Sequence, residues 1–144
     1  MNLDDLYQEL ILEHFKQPRH QRKMADDEAF EEAFNPNCGD KTRVLAQIHG
    51  QQVTSIEHDT KGCAISIASA SIMCERLRGK TAAECREAIQ TFIDGLYERI
   101  EPAYDDEDPL AALLTVKRFP MRIHCATLSW DALEKRLTRE ASDS

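Results

Sequence analysis

The chain has 144 residues, of which 42% are hydrophobic and 31% are charged, and its formal net charge at pH 7 is −8. This composition is typical of a globular protein with room for a hydrophobic core, so we expect one domain over residues 1–144. The acidic balance disfavours nucleic acid as a partner, because phosphate binding needs a basic face. The acidic N-terminus is unlike a signal peptide and no apolar run is as long as a membrane span, so we expect a cytoplasmic protein without a membrane partner.

The first part of the chain predicts a helix followed by a small sheet. Apolar residues three and four positions apart predict a helix over 3–16, which Pro18 ends. We expect the basic segment 16–23 to be a solvated loop. Three short segments then have strand-like composition or alternation, namely 29–36, 42–49 and 52–60. Gly50 favours a hairpin turn between the last two, so we expect three antiparallel strands in meander order.

The rest of the chain predicts about four more helices. Their expected ranges are 64–79, 81 to about 100, 109–114 and a last helix that begins near residue 125. Thr81 and Glu84 have the spacing of a capping box, and the acidic segment 101–109 is expected to be a solvated connector. These elements place the chain in the α+β class, with a three-stranded antiparallel sheet covered by an N-terminal helix and about four C-terminal helices.

Three of the five cysteines lie at the ends of predicted elements. Cys38 is in the turn "NPNCGD", Cys63 joins the last strand to a helix, and Cys125 directly precedes the first turn of the last helix. A helix N-terminus favours the thiolate, which is both the nucleophile and the metal ligand. In a reducing compartment such thiols indicate metal or redox chemistry more often than disulfides. The alternative role is that of a small buried residue, which we expect for Cys74 and Cys85 inside helices.

A carboxylate accompanies the first of these cysteines. Asp40 follows Cys38 across Gly39, so that one turn can direct both side chains to the same point. Cys38, Asp40, Cys63 and Cys125 would then form a tetrahedral set of three sulfurs and one oxygen, suitable for zinc and compatible with iron. The alternative is that Asp40 only forms the turn. A zinc hydrolase is disfavoured, because such sites need an open position and three thiolates make a poor Lewis acid.

Motifs along nearly the whole chain resemble those of the U-type iron–sulfur cluster assembly proteins. The segments that carry the resemblance are "LYQELILEHFKQPRH", "NPNCGDKTRV", "KGCAISIASASIM", the "GK" at 79–80 and "FPMRIHCATLSWDALEKRL". They are most similar to the SufU type, with the IscU and NifU N-terminal proteins as more distant relatives. The resemblance implies the SufE/NifU (IscU-like) fold.

The resemblance also implies a function and a ligand set. It assigns Cys38, Asp40, Cys63 and Cys125 as metal ligands, for zinc in the SufU type and for iron or a nascent [2Fe–2S] cluster in the IscU type. The implied activity is that of a zinc-dependent sulfur acceptor and relay, which takes persulfide sulfur from a SufS-type cysteine desulfurase. In the SufU-type mechanism docking frees a zinc-ligand cysteine, assigned here to Cys38, whose thiolate attacks the persulfide. Sulfur would then pass to a downstream iron–sulfur scaffold or to apo-proteins.

Two alternatives to this function stay open at the level of sequence. The chain could be a scaffold on which a [2Fe–2S] cluster is built, or a structural zinc domain that only binds partners. The resemblance does not define a complete enzyme, and it implies a sulfurtransferase-type accessory protein rather than a stand-alone hydrolase or oxidoreductase. Which metal is bound and which cysteine first carries the persulfide are not fixed by the pattern.

Sequence features between and beside the cysteines bear on the subtype. The segment from Cys63 to Cys125 is long enough for the extra helix of the SufU type, and "KRFPMRI" replaces the chaperone motif of the IscU type. His124, however, stands where the IscU type has a histidine ligand, so it is a candidate alternate ligand in place of Asp40. Two cations, Lys61 and Arg122, are candidates for offsetting the negative charge of the site, the alternative being ordinary surface residues.

Overall fold

The protein has the α+β architecture that its sequence predicts. The computed structural model describes the backbone of residues 2–143 and the side chains of residues 2–140. Three strands form one antiparallel sheet in the order β1-β2-β3. The elements are α1 (Leu3–Lys16), β1 (Glu31–Asn35), β2 (Asp40–His49), β3 (Gln52–Lys61), α2 (Ala64–Leu77), α3 (Ala82–Leu96), α4 (Pro109–Leu114) and α5 (Ile123–Asp143), with short 3₁₀ turns at Thr115–Arg118 and Pro120–Arg122.

One face of the sheet is buried under α2 and α5, and the hydrophobic core lies between them. Alternate residues of β2 and β3 point to this face, since Val44 pairs with His58 and Ala46 with Ile56, and all four are buried. Behind the helices, Trp130 of α5 packs against Phe92 of α3 with ring centroids 4.3 Å apart. The core therefore extends from the sheet through three helices.

The segment after α1 is not the solvated loop that its charge predicts. The N–H of Arg22 donates to the carbonyl of His58 (2.9 Å), and the N–H of His58 donates to the carbonyl of His20 (3.0 Å). The segment is therefore hydrogen-bonded along the edge of β3, because that edge has backbone groups that no other strand pairs. Arg22 also pairs with Glu28 and Glu57, which shields its charge.

The buried side chain of His58, at this edge of the sheet, is held by hydrogen bonds on both ring nitrogens. His58 Nε2 lies 3.1 Å from the carbonyl of Arg19, which can only accept, so Nε2–H donates. Nδ1 then accepts from the hydroxyl of Thr60 (2.8 Å), which in turn accepts from Thr42 (2.8 Å). Burial lowers the pKa of His58 to about 4 and keeps the ring neutral.

Three helix boundaries differ from those predicted. Helix α2 ends at Leu77 rather than at residue 79. Helix α3 ends at Leu96 rather than near residue 100, because Glu98 adopts a left-handed φ of 59° that a helix cannot continue through. Helix α5 begins at Ile123, directly after the 3₁₀ turn Pro120–Arg122, so Cys125 lies inside its first turn and not before it. The capping box of α3 is confirmed, with Thr81 and Glu84 each bonding the other's backbone.

The acidic connector is more ordered than predicted, since Asp108 caps α4 by accepting from the N–H of Leu110 (2.9 Å) and also pairs with Arg76 (2.7 Å).

Among residues 2–143, none of the helices combines the length and the apolar character that a membrane crossing requires.

Candidate metal centre

Three of the four predicted ligands, Cys38, Asp40 and Cys125, come together at one end of the sheet where three elements begin, and Cys63 lies beside Asp40 at the edge of this group. Cys38 lies in the turn between β1 and β2, Asp40 is the first residue of β2, Cys63 caps α2 and Cys125 lies in the first turn of α5. Ligand atoms of Cys38, Asp40 and Cys125 all lie within 4.8 Å of one another. The Cys63 Sγ lies 3.6 Å from Asp40 Oδ2, and the sulfurs of Cys38 and Cys125 are 3.8 Å apart.

A tight turn exposes the first cysteine. The N–H of Gly39 donates to the carbonyl of Asn35 (2.8 Å), and Gly39 has a φ of 73°, which glycine adopts without strain. The N–H of Asn37 also donates to the Asn35 side chain (3.2 Å). Cys38 is consequently held at the tip with its thiol exposed, whereas Cys63 is half-buried and Cys125 is fully buried.

The Asp40 carboxylate is buried and bonded on both oxygens. Oδ1 accepts from the N–H of Cys63 (3.0 Å), and Oδ2 accepts from the hydroxyl of Ser66 (2.7 Å). Burial by itself would raise the pKa of Asp40, but the hydrogen bonds from Ser66, Cys125 and Cys63 outweigh it and lower the pKa. Gly62 makes this arrangement possible, because a Cβ there would overlap the Asp40 carboxylate.

The pKa of the Cys125 thiol is shifted upward, whereas the pKa of Asp40 is shifted downward. Burial raises the pKa of Cys125, and the nearby Asp40, Cys63 and Cys38 raise it further. The amide of Asn35 provides a weak donor 3.9 Å from its sulfur. In the absence of a cation this sulfur is therefore protonated, and a bound metal ion would supply the positive charge that favours its thiolate.

The two predicted cations occupy different places. Arg122 is at the cluster, since its contact with Cys125 and the charges of Cys63 and Cys38 raise the pKa of its guanidinium. Lys61 points to the outer face of the sheet, opposite Lys41 of β2 and away from the buried face that holds Asp40. No hydrogen bond or ion pair among the described residues joins Lys61 to the cluster, so the structure does not bring it there.

The candidate alternate ligand, His124, lies beside the cluster with its side chain exposed. Among the described residues, the group of ligand atoms that lie close enough to share a metal contains Cys38, Asp40 and Cys125 but neither His124 nor Cys63. Cys63 differs from His124 in that its sulfur contacts Asp40 of this group. The backbone carbonyl of His124 accepts a hydrogen bond from the Thr127 hydroxyl within α5 (3.4 Å).

The two remaining cysteines, Cys74 and Cys85, are fully buried, as predicted, and burial raises the pKa of Cys85 to about 11.

Two separations in the cluster fit the donor set of a zinc site. Tetrahedral zinc, with bonds of about 2.3 Å to sulfur and about 2.1 Å to oxygen, places two sulfurs roughly 3.8 Å apart and a sulfur and an oxygen roughly 3.6 Å apart. The Cys38–Cys125 and Cys63–Asp40 separations of 3.8 and 3.6 Å match these values. Two sulfurs and one oxygen lie within mutual reach and the Cys63 sulfur adjoins them, and these are atom types that zinc accepts as ligands, so the residues present fit this ion.

Sequence reasoning did not identify three residues that build the site. Ser66 bonds Asp40, Gly62 makes room for it, and Asn35 contacts Cys125. A signal for Ser66 existed in its place three residues after Cys63, on the first turn of the same helix. Asn35 and Gly62 looked like ordinary turn and strand-end residues, and their role depends on contacts between distant segments.

The fold and the cluster together define a small α+β domain with a group of cysteine and aspartate side chains that could hold a metal ion at one end of its sheet. The family described as NifU-like N terminal domain matches residues 6–139, and the chain belongs to this family. The zinc-dependent sulfurtransferase SufU of Bacillus subtilis (strain 168) is 38% identical over 142 residues, which cover 96% of this chain and 94% of that protein. The iron–sulfur cluster assembly scaffold protein IscU of Streptococcus pyogenes serotype M1 is 31% identical over 140 residues, covering 97% and 87%.

Solved structures agree with this assignment. A nitrogen-fixing NifU-like protein (N-terminal) from Brucella abortus superimposes with a TM-score of 0.81 at 26% identity, over 95% of this chain and 96% of that chain. A protein described as an iron–sulfur cluster assembly scaffold for the SUF system (FiSufU), from Fervidobacterium islandicum AW-1, gives a TM-score of 0.78 at 29% identity, over 92% and 97%. The family resemblance and the fold predicted from the sequence are therefore confirmed.

Proposed function

We propose that this protein acts in iron–sulfur cluster assembly as a zinc-dependent sulfur acceptor, with a SufS-type cysteine desulfurase as its sulfur donor. The relative from Bacillus subtilis, a zinc-dependent sulfurtransferase, supports this function over the length of both chains. The proposed ligands are Cys38, Asp40, Cys63 and Cys125. A downstream iron–sulfur scaffold or apo-proteins would receive the sulfur.

The graded exposure of the three thiols is the observation that carries the proposal. Cys38 is exposed at the tip of a hairpin, while its neighbours Cys63 and Cys125 are half-buried and buried. A sulfur carried on another protein can therefore approach Cys38 more readily than the half-buried Cys63, and cannot reach the buried Cys125. Since the turn at residues 35–39 belongs to no helix, Cys38 can also move away from the cluster at less cost than Cys125, which is packed in α5.

The transfer is an exchange between sulfur atoms without net oxidation. The Cys38 thiolate attacks the terminal sulfur of the persulfide on the donor protein, and a new S–S bond forms at Cys38. The S–S bond of the donor breaks, and its electron pair leaves with the donor cysteine as a thiolate. Cys38 then carries the persulfide, and the proton on the terminal sulfur travels with it.

The other residues of the site hold and balance this thiolate. Zinc, when bound, keeps its cysteine ligands deprotonated at neutral pH. Arg122 offsets the charge of the thiolates that it faces. Asp40 provides an oxygen ligand in place of a fourth thiolate, which makes ligand exchange at the site easier than in an all-cysteine set.

Desulfurase turnover tests the proposal. The wild-type protein should accelerate alanine release from cysteine by the desulfurase, and intact mass measurement should find one added sulfur on Cys38. Cys38→Ala should abolish both effects, whereas the control Cys85→Ala, in the buried core, should keep them. The proposal is wrong if wild type gives no acceleration, or if Cys38→Ala is as active as wild type.

A scaffold function is the second candidate, because the chain is also similar to an IscU scaffold protein and carries His124 beside the cluster. In that case anaerobic reconstitution should give a [2Fe–2S] cluster that survives desalting and passes to an apo-ferredoxin, and His124→Ala should lose it. A protein that retains zinc and rejects iron excludes this function.

A purely structural zinc domain is opposed by the core. The sheet, α2, α3 and α5 bury a continuous set of apolar side chains that does not involve the candidate ligands. We therefore expect the protein to stay folded by circular dichroism after zinc is removed with a chelator. Cooperative unfolding on chelation would instead support the structural role.

A further inference from the structure

Ser66 makes a contact that its position in a helix does not require. It lies in the first turn of α2 and is 2% exposed, and its hydroxyl reaches across to β2 rather than to a backbone group of its own helix. Its Oγ is 2.7 Å from Asp40 Oδ2 and 3.6 Å from the Cys63 sulfur. A carboxylate can only accept, so the Ser66 O–H donates to Asp40.

Two donors from the start of α2 thus hold the two oxygens of one carboxylate. The N–H of Cys63 holds Oδ1 (3.0 Å) and Ser66 holds Oδ2 (2.7 Å). Each oxygen has two lone pairs, so each keeps one beyond these two bonds, and the thiols of Cys63 and Cys125 approach the carboxylate as weaker donors. The carboxyl group cannot rotate about its Cβ–Cγ bond without breaking both bonds, and its orientation toward the thiols is fixed.

We infer that Ser66 is a positioning residue of the metal centre, which presents the free lone pair of Asp40 to the ion and so sets how firmly the oxygen ligand is held. This inference rests on the proposed zinc site. Hydrogen bonds to the outer side of metal ligands typically contribute 10–100-fold in metal affinity, because they orient the ligand before the ion arrives. Ser66 makes this contribution through Asp40, without touching the ion.

The Cys63 sulfur is the other group that Ser66 approaches, and it offers a competing route for the same effect. At 3.6 Å, Ser66 Oγ is a weaker and longer partner of Cys63 than of Asp40. A hydroxyl bonded to a carboxylate at 2.7 Å has its single proton committed there. The Asp40 route is therefore the one that the geometry favours, and a double-mutant cycle separates the two.

Zinc competition with a chromophoric chelator tests the inference on wild type, Ser66→Ala, Asp40→Ala and the double variant. Ser66→Ala should lower zinc affinity by roughly 10-fold or more. In the Asp40→Ala background the same change should have no further effect, because the residue through which Ser66 acts is gone. Ser66→Thr, which keeps a hydroxyl, should recover most of the affinity.

Controls separate this role from a general loss of structure. The buried hydroxyl of Ser129, also on a helix that bears a candidate ligand, has no hydrogen-bond partner among the described residues, so Ser129→Ala should leave zinc affinity unchanged. The thermal unfolding of each zinc-free variant reports the fold itself. Should Ser66→Ala fail to fold, the pair Ser66→Thr and Ser66→Val, which differ only in a hydroxyl against a methyl group, takes its place in the cycle.

Three outcomes are informative. If wild type binds no zinc, the proposed function fails at its metal site. If wild type binds zinc and Ser66→Ala binds it equally well, the inference about Ser66 is overturned while the proposed function stands. If the loss caused by Ser66→Ala is the same with and without Asp40, Ser66 acts through Cys63 or through the fold, and the inference is again overturned.

Discussion

Replacement of Gly62 by alanine should disrupt the metal centre with the smallest possible side chain. A Cβ at this position would overlap the Oδ1, Cγ and Cβ atoms of Asp40. Asp40 is 1% exposed and belongs to β2, so its backbone cannot retreat and its carboxyl group must turn aside. The carboxylate then loses its bonds from the Cys63 N–H and the Ser66 hydroxyl.

The expected loss in the free energy of unfolding follows from these two hydrogen bonds. Hydrogen bonds to a charged group contribute about 1.5–3 kcal/mol each, so losing both costs about 3–6 kcal/mol in the free energy of unfolding. The gain that a glycine-to-alanine change can bring by restricting the unfolded chain does not apply, because Gly62 has a φ of 157° that alanine rarely adopts. The net loss is therefore about 3–6 kcal/mol, which for a chain of this size lowers Tm by roughly 10–20 °C.

The assay combines thermal unfolding of the zinc-free protein with zinc competition. Gly62→Ala should lower Tm and weaken zinc binding together. Gly50→Ala is the matched control, because Gly50 has a left-handed φ of 65° but no atom near its added Cβ and lies in the hairpin between β2 and β3. It should cost about 1 kcal/mol of stability, for the φ alone, and leave zinc affinity unchanged. A Gly62→Ala protein with the Tm and zinc affinity of wild type would refute the reasoning.

Three further predictions concern charge and burial. His58 has a pKa of about 6.5 in the unfolded chain and about 4 in the folded protein, so the unfolded chain binds the proton first as the pH falls. The free energy of unfolding should therefore fall by about 3 kcal/mol between pH 6.5 and pH 4. In urea unfolding, His58→Gln should show a weaker dependence on pH over this range. Ser69→Ala removes the acceptor of the buried Trp130 N–H (2.9 Å), which should cost about 1–3 kcal/mol in denaturant unfolding without changing zinc affinity. Arg122→Gln removes the positive charge that faces the thiolates, so zinc should be released at a higher pH during acid titration, while Arg122→Lys should shift this pH less.

Each of these predictions has an outcome that contradicts it. A pH dependence of unfolding that is as steep in His58→Gln as in wild type would show that other groups, such as the buried His14, cause it. Unchanged stability of Ser69→Ala would mean that the indole N–H finds another acceptor. An identical zinc-release curve for Arg122→Gln and wild type would mean that the Arg122 charge is screened by solvent.

Local patterns in the sequence were sufficient for most of the elements. The apolar spacing of residues 3–16 and the Thr81–Glu84 capping box act within a few residues of one another, so they predict helices without knowledge of the rest of the chain. The errors lie where a distant segment decides. Residues 19–22 look like a solvated loop, but the free edge of β3 provides backbone partners that no local pattern reveals.

The sequence by itself determined which residue types are available to the site and that three cysteines and an aspartate stand at the ends of elements. Only the tertiary structure decided their different roles, because exposure depends on what packs against each end. No described residue covers the turn of Cys38, whereas the first turn of α5 packs Cys125 against Asn35 of β1 and leaves it fully buried. The same reason separates the two cations, since Lys61 falls on the face of β3 that the helices leave uncovered while Arg122 precedes α5 at the cluster. Ser66 and Gly62 act on Asp40 only because the start of α2 packs against β2 in the folded protein. That contact joins segments too far apart in the sequence for any local pattern to predict.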